Sequence, residues 1–180
     1  MILYVFQIYS IISIPSQIDI VKGQTEKFKT VFPFTLNIFE KNKIIEHESI
    51  FQELIAEEAM MLQEFQKNIV SEGEISMMVF NGAFTHAVLK TAKPGDFRVQ
   101  DDFGGTVQKY TPNQEQIVFA QSIVKAAPEL PVYARVDIFR DNEGNWALAE
   151  LEIFEPELWF RLDPTAANTL AKTIKAKFFS

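Results

Sequence analysis

Apolar and polar residues alternate along this chain in blocks whose period switches between that of strands and that of helices. The first 18 residues, Met1 to Ile18, carry no charge. Their Ile, Val, Tyr and Phe content favours a strand or an irregular buried segment. Gln7, Ser10, Ser13, Pro15, Ser16 and Gln17 interrupt the run before it reaches the roughly 20 apolar residues of a spanning helix. A basic start and a small-residue cleavage site, the marks of a signal peptide, are both missing from it. A strand is expected at Ile18 to Lys22 (IDIVK), and a second at Val31 to Phe39 (VFPFTLNIF), where Pro33 restricts it to an edge or a bulge.

Further on, Ser49 and Gln52 form a capping-box pattern that predicts a helix of about three turns, with Ile50, Leu54 and Ile55 on one face. Met60 to Phe65 (MMLQEF) and Ile75 to Phe80 (ISMMVF) are predicted strands joined by a polar turn around Ser71-Glu72-Gly73. Asn81-Gly82 tolerates the positive φ of a type I′ turn, so Phe84 to Lys90 (FTHAVLK) should pair back on ISMMVF. From Thr91 to Pro112 the apolar rhythm disappears and Gly95, Gly104 and Gly105 accumulate. That stretch is expected to be a loop, and loops so long are usually functional or disordered. Thr111, Pro112 and Gln114 announce a helix whose apolar face is Ile117, Ala120, Val124 and Ala127. Strands at Val132 to Phe139 and Trp146 to Ile153 flank the turn Asp141-Asn142-Glu143-Gly144, and Asp163-Pro164 opens a last helix toward Lys177. Antiparallel hairpins with helices interspersed make the fold class α+β.

Composition narrows the partners. At 180 residues, 47% hydrophobic and 23% charged, the chain can bury a core of its own, one rich in aromatic side chains given its 17 Phe. The net charge of -7 argues against nucleic acid, because no basic stripe exists to neutralise phosphates. Lys172 to Lys177 holds three lysines at helical spacing and is expected to be a solvated helix end. With no cysteine, disulfides, thiolate metal sites and Cys nucleophiles are all excluded, which fits a reducing cytoplasm, and the interrupted N-terminal run argues against a membrane partner. His86 lies in a strand and His47 ahead of a helix, yet neither stands in a catalytic-triad or zinc-binding pattern, so His86 is expected to be structural or supporting. Trp146 and Trp159 are expected in the core or a pocket wall.

Two constellations carry chemistry. Asp137 stands between apolar neighbours in ARVDIF, and Glu150 and Glu152 in ALAELEIF share one strand face. Crowded carboxylates repel, and a divalent cation with oxygen ligands is one compensation. A solvent-facing strand side, with Leu151 and Ile153 turned to the core, is the other reading. The second constellation is cationic: Lys90, Lys93 and Arg98 surround the glycine-bearing loop, suited either to phosphoryl oxygens or to solvent.

The run EGEISMMVFNGAFTHAVLKTAKPGDFRVQDDFGGT, followed by YARVDIF and ELEIFEPEL, resembles the ATP-binding part of ATP-grasp ligases. It is similar to the group containing prokaryotic glutathione synthetase, RimK-like and cycloserine-type ligases, over Met60 to Phe160. The resemblance implies a single ATP-grasp domain over residues 1–180. Residues 1 to about 60 would form a partial, degenerate small lobe, and residues from about 61 to 180 the C-terminal lobe. It also implies an ATP-dependent carboxylate–amine ligase with an acylphosphate intermediate, taking ATP, Mg²⁺ (or Mn²⁺) and small carboxylate and amine substrates.

By the same resemblance Gln63, Glu64 and Phe65 line the adenine pocket and Glu74 meets the ribose hydroxyls. Lys22 reaches the ATP phosphates, and Lys90 and Arg98 reach the phosphates or the acylphosphate, with Lys90 and Arg98 catalytic. Gly104 and Gly105 cover the substrates, and Asp137, Glu150 and Glu152 take the three metal positions. Two departures stand out. Glu152 occupies a metal position where the superfamily commonly has Asn. QTEKFKTVFPF replaces the expected glycine- and serine-rich phosphate loop, and no N-terminal substrate-binding domain precedes it, so a truncated or degenerate member is expected. The second reading is therefore a catalytically silent remnant that binds nucleotide or a protein partner. An exposed lobe edge would allow a homodimer in either case.

Overall fold

The computed structural model describes residues 2–7, 37–40, 43–57, 60–93 and 105–179. The chain divides into two compact units, Met1–Phe65 and Gln66–Ser180.

The first unit holds a three-stranded antiparallel sheet and one helix among its described residues. Strand β1 (Ile2–Gln7) lies between β2 (Asn37–Glu40) and β3 (Met60–Glu64). The uncharged N-terminus therefore begins as a strand, and β2, the described part of the segment expected around Pro33, does lie at an edge. The expected strand Ile18 to Lys22 falls outside the described residues. Helix α1 (Ile44–Glu57) begins five residues before the predicted cap. Ser49 is inside it, and Gln52 donates to the Glu48 carboxylate one turn back at 2.7 Å rather than closing a capping box. Lys43 to Glu48 contains nothing that stops a helix, so the first turn extends backwards past a weak internal start signal.

The second unit is built on a five-stranded antiparallel sheet. Its members are β4 (Glu74–Phe80), β5 (Ala83–Thr91), β6 (Thr106–Tyr110), β7 (Tyr133–Arg140) and β8 (Trp146–Glu152), in the order β6-β5-β4-β7-β8. β4 is central and buried along its whole length. The β4–β5 hairpin turns at Asn81 and Gly82 with φ of 47° and 79°, the positive pair that a type I′ turn requires. Helix α3 (Gln114–Lys125) packs on one sheet face, and α4 (Pro164–Phe178) meets the other.

Three local expectations are corrected here. The polar turn at Ser71-Glu72-Gly73 belongs to a short helix, α2 (Lys67–Glu72), and the two strands it was expected to join belong to different sheets. The bonds that hold α2 come from far along the chain. Asn142 Oδ1 accepts from the Lys67 amide at 2.9 Å, the Asn142 amide donates to Gln66 Oε1 at 3.0 Å, and Asn68 Nδ2 donates to the Asp141 carbonyl at 2.6 Å. Gly73 ends α2 with φ of 85°, where a Cβ would stand 2.4 Å from the Lys90 carbonyl oxygen. Only glycine lets this segment lie against β5.

The expected long loop contains β6, which pairs with β5 from Thr91↔Thr106 to Ala87↔Tyr110. As an edge strand with one neighbour and mostly solvent-facing side chains, TVQKY carries little apolar signal. Helix α3 begins two residues later than the Thr111 cap suggested. Asn113 Oδ1 accepts from the Gln116 amide at 2.9 Å, and Gln116 Oε1 accepts from the Asn113 amide at 2.7 Å. The capping-box chemistry is as expected and its residues are shifted.

Candidate functional site

Alternation along the strands sends two different residue sets to the two faces of the five-stranded sheet. Ile75, Met77 and Val79 of β4 pack with Ala87, Ala134, Val136 and Ile138 against Ala120 and Val124 of α3. The intervening residues of β4, in order Glu74, Ser76, Met78 and Phe80, face the other way. Met78 and Phe80 lie with Val88 under Trp159 and Ala166, so this end is apolar as well. At Ser76 and Glu74 the face turns polar.

Register then gathers the charges. Glu74 is paired with Lys90 of β5, Ser76 with Asp137 of β7, Asp137 with Glu150 of β8, and Arg135 with Glu152. The register shift between Asp137 and Ile138 lets Glu150 and Glu152 fall on the same face as Asp137. Of the sequence-predicted residues, the fold therefore brings together Glu74, Lys90, Asp137, Glu150 and Glu152.

The side chains form one ionic network. The Lys90 ammonium is ion-paired with Glu74 and lies 3.0 Å from Asp137 Oδ2. The Arg135 guanidinium lies 3.0 Å from Asp137, 3.0 Å from Glu150 and 2.8 Å from Glu152. Asp137 is only 1% exposed, whereas the Glu150 side chain is 53% exposed, so the network runs from the interior to solvent. Burial opposes the charge on Lys90, but Asp137 and Glu74 outweigh it and hold its pKa above the ordinary lysine value. Arg135 behaves likewise, burial being overcome chiefly by Asp137. Burial raises the Glu74 pKa against the pull of Lys90, and burial with the charges of Glu152 and Asp137 raises that of Glu150.

Arg135 was not anticipated from sequence. The signal was present in ARVDIF, where an arginine two residues before Asp137 must share its strand face. His86 is buried on this side of the sheet. Its Nε2–H donates to the Leu158 carbonyl at 2.8 Å and its Nδ1 lies 3.0 Å from the Thr85 hydroxyl, which fits the structural role expected of it. Trp159 is buried in the apolar cluster and Trp146 packs at the margin of the other one, as core residues. Gly105 directly precedes β6, whose Val107 pairs with Lys90. Gln63 and Glu64 end β3 in the first unit and Phe65 follows, with Glu64 exposed and Phe65 half-buried. Lys22, Arg98 and Gly104 lie outside the described residues.

Among the described residues, no three acidic or histidine side chains stand as ligands around one point ready for a metal ion. The donor set nevertheless suits a hard divalent cation. Four carboxylates meet two cationic side chains here, a surplus of two negative charges. The Ser76 hydroxyl, fully buried beside Asp137 in the register, has no hydrogen-bond partner among the described residues. No helix among the described residues is long and apolar enough to cross a membrane.

Comparison with known proteins agrees with this architecture. The D-cycloserine synthetase DcsG superposes with a TM-score of 0.64 at 21% identity, over 79% of this chain and 50% of that one. The ATP-grasp ligase PsnB, complexed with a phosphomimetic variant of its minimal precursor, Mg and ADP, gives 0.55 at 14% identity over 77% of this chain and 42% of that one. D-alanine–D-alanine ligase from Bacillus anthracis, complexed with ATP, gives 0.50 at 16% identity over 78% and 48% respectively. The chain thus spans about half the length of these structures or less, and the likeness is one of fold. Among curated proteins no sequence matches. The model of the RimK-like ATP-grasp domain matches residues 32–153, more than half of the chain. The chain therefore belongs to the RimK-like ATP-grasp family.

Proposed function

We infer that this chain binds Mg-ATP and serves an ATP-dependent carboxylate–amine ligase of the glutathione synthetase-like kind. The observation that carries this reading is the charged end of an otherwise apolar sheet face, where Lys90 and Arg135 meet Glu74, Asp137, Glu150 and Glu152. Stability alone does not call for such a network, since apolar residues of similar volume would serve it as well or better.

In the proposed reaction a substrate carboxylate oxygen attacks the γ-phosphorus of ATP. The bond to the bridging oxygen breaks, and ADP leaves with the electron pair. An amine nitrogen then attacks the acyl carbon of the acylphosphate, loses a proton and expels phosphate. Phosphoryl transfer asks the protein mainly for positioning and charge. Asp137, Glu150 and Glu152 would hold the metal, which when bound supplies Lewis-acid charge to phosphate oxygens. Lys90 on β5 and Arg135 on β7 supply positive charge, and Arg98 and Lys22 are assigned to the phosphates. Gln63, Glu64 and Phe65 are assigned to adenine. The ribose role falls to Glu74, whose carboxylate is already paired with Lys90. Gly104 and Gly105 are assigned to the cover over the substrates.

An ADP-release screen with Mg-ATP and pairs of small carboxylates and amines tests the reaction. Release that needs both the acid and the amine supports it. ATP binding with no release from any pair would instead assign the chain to a nucleotide-binding module without turnover.

A further inference from the structure

The metal positions proposed above are bridged by a side chain of the protein itself. One guanidinium reaches Asp137, Glu150 and Glu152 together, at 3.0, 3.0 and 2.8 Å. Both Asp137 oxygens also accept from Arg135 Nε at 3.1 Å. The planar fork of arginine suits such multiple pairing, whereas an ammonium offers a single point of charge. β7 and β8 supply all four residues, and the register holds their Cα positions whether or not the side chains touch. A cation placed among these three carboxylates meets a guanidinium that already engages both Asp137 oxygens and one oxygen each of Glu150 and Glu152.

We propose that Arg135 is a built-in counter-ion that competes with the divalent cation for the same three carboxylates and is displaced when the cation binds. The inference rests on the metal assignment made above. Before metal arrives, the guanidinium keeps the repelling carboxylates gathered on one face, so the site is assembled at the cost of being blocked. Metal entry breaks the Arg135 pairs and frees the guanidinium while β7 and β8 keep their register. Lys90 does not take part in the exchange: it is held at the buried end by Glu74 and Asp137, behind the exposed Glu150.

Titration of the full chain with Mn²⁺ alone, followed by calorimetry and by the metal's electron spin resonance signal, separates a competitor from a scaffold. Removing a competitor tightens metal binding; removing a scaffold weakens it. Arg135→Gln is expected to bind Mn²⁺ roughly tenfold more tightly than the unmodified chain, with Arg135→Lys in between. Mn²⁺ should also raise the Tm of Arg135→Gln more than that of the unmodified chain, since the ion replaces the missing charge. Should Arg135→Gln prove too unstable to titrate, Arg135→Lys carries the same comparison. Equal or weaker Mn²⁺ binding by the variants, with binding lost in Glu150→Gln, would overturn the exchange and leave the metal site standing. Mn²⁺ binding unaffected by Glu150→Gln, or no binding by the unmodified chain, would remove the metal site and the exchange with it.

Discussion

The two faces of the five-stranded sheet are made by the same strands and differ in almost everything else. Toward α3, β4 presents Ile75, Met77 and Val79, and β7 presents Ala134, Val136 and Ile138, into a dry core. On the opposite face the same two strands carry Glu74, Ser76, Asp137 and Arg135 beside the apolar Met78 and Phe80. A one-residue slip of any strand would exchange the two sets and bury charge under α3, so the register is strongly fixed. A small unit thus keeps a charged site in place: its backbone is held from behind by residues that do no chemistry.

The largest effect should come from breaking the charged face at its buried end. Lys90→Met leaves Glu74 and Asp137 close together with a lost partner, and is expected to cost about 3–5 kcal/mol of stability. Adding Glu74→Gln to it should recover part of the loss. Urea unfolding of both variants checks this, and a neutral outcome for the single variant would mean that the ion pairs contribute nothing to the sheet. On the dry face, Met77→Ala opens a cavity at a fully buried position and is expected to cost about 3 kcal/mol in the same assay, with ATP binding by the folded fraction unchanged.

A smaller effect is expected where the β7–β8 turn holds α2. Asn142→Ala removes the acceptor for the Lys67 amide at the start of that helix and should cost about 1 kcal/mol. Hydrogen exchange should locate the loss in Lys67–Glu72, and uniform weakening of the sheet instead would contradict the assignment.

The mildest test sharpens the apolar part of the charged face. Burial holds the His86 pKa below 6.5, opposed by the Leu158 bond and Asp163 and assisted by Lys109. The native imidazole is then neutral where the unfolded one takes a proton, so stability should fall as the pH drops below 6.5 toward the lower native value. Unfolding midpoints between pH 7.5 and 5.5, compared with those of His86→Gln, check this (about one pH unit either side of an ordinary imidazole). The variant should show the flatter profile.

What could be read from the sequence was local. Asn81-Gly82, the Asp141–Gly144 turn, the apolar face of α3 and the Asp163-Pro164 start of α4 announce themselves within a few residues, and the β4–β5 and β7–β8 hairpins follow from the two turns. The α2 helix could not be read this way, because its stabilising bonds come from Asn142 and Asp141 across more than 70 residues. β6 escaped notice because an edge strand needs only one partner and little apolar surface. In the site, Glu150 and Glu152 are legible from their spacing and Asp137 from its apolar neighbours, whereas Glu74 comes only from the resemblance and the pairings come only from the fold. The sequence places Lys90 beside a glycine-bearing loop, and the fold buries it against Glu74 and Asp137. The Arg135–Asp137 pairing is implicit in ARVDIF, but the contacts of Arg135 with Glu150 and Glu152 arise only once β8 lies beside β7.

If the charged face is a metal-dependent ATP site, calorimetric titration of the full chain with ATP, in Mg²⁺ and then in EDTA, will show it. ATP should bind in Mg²⁺, lose affinity sharply in EDTA, and give a weakened Mg²⁺-dependent response in Glu150→Gln. Equal affinity with and without the metal, or no binding under either condition, would contradict it.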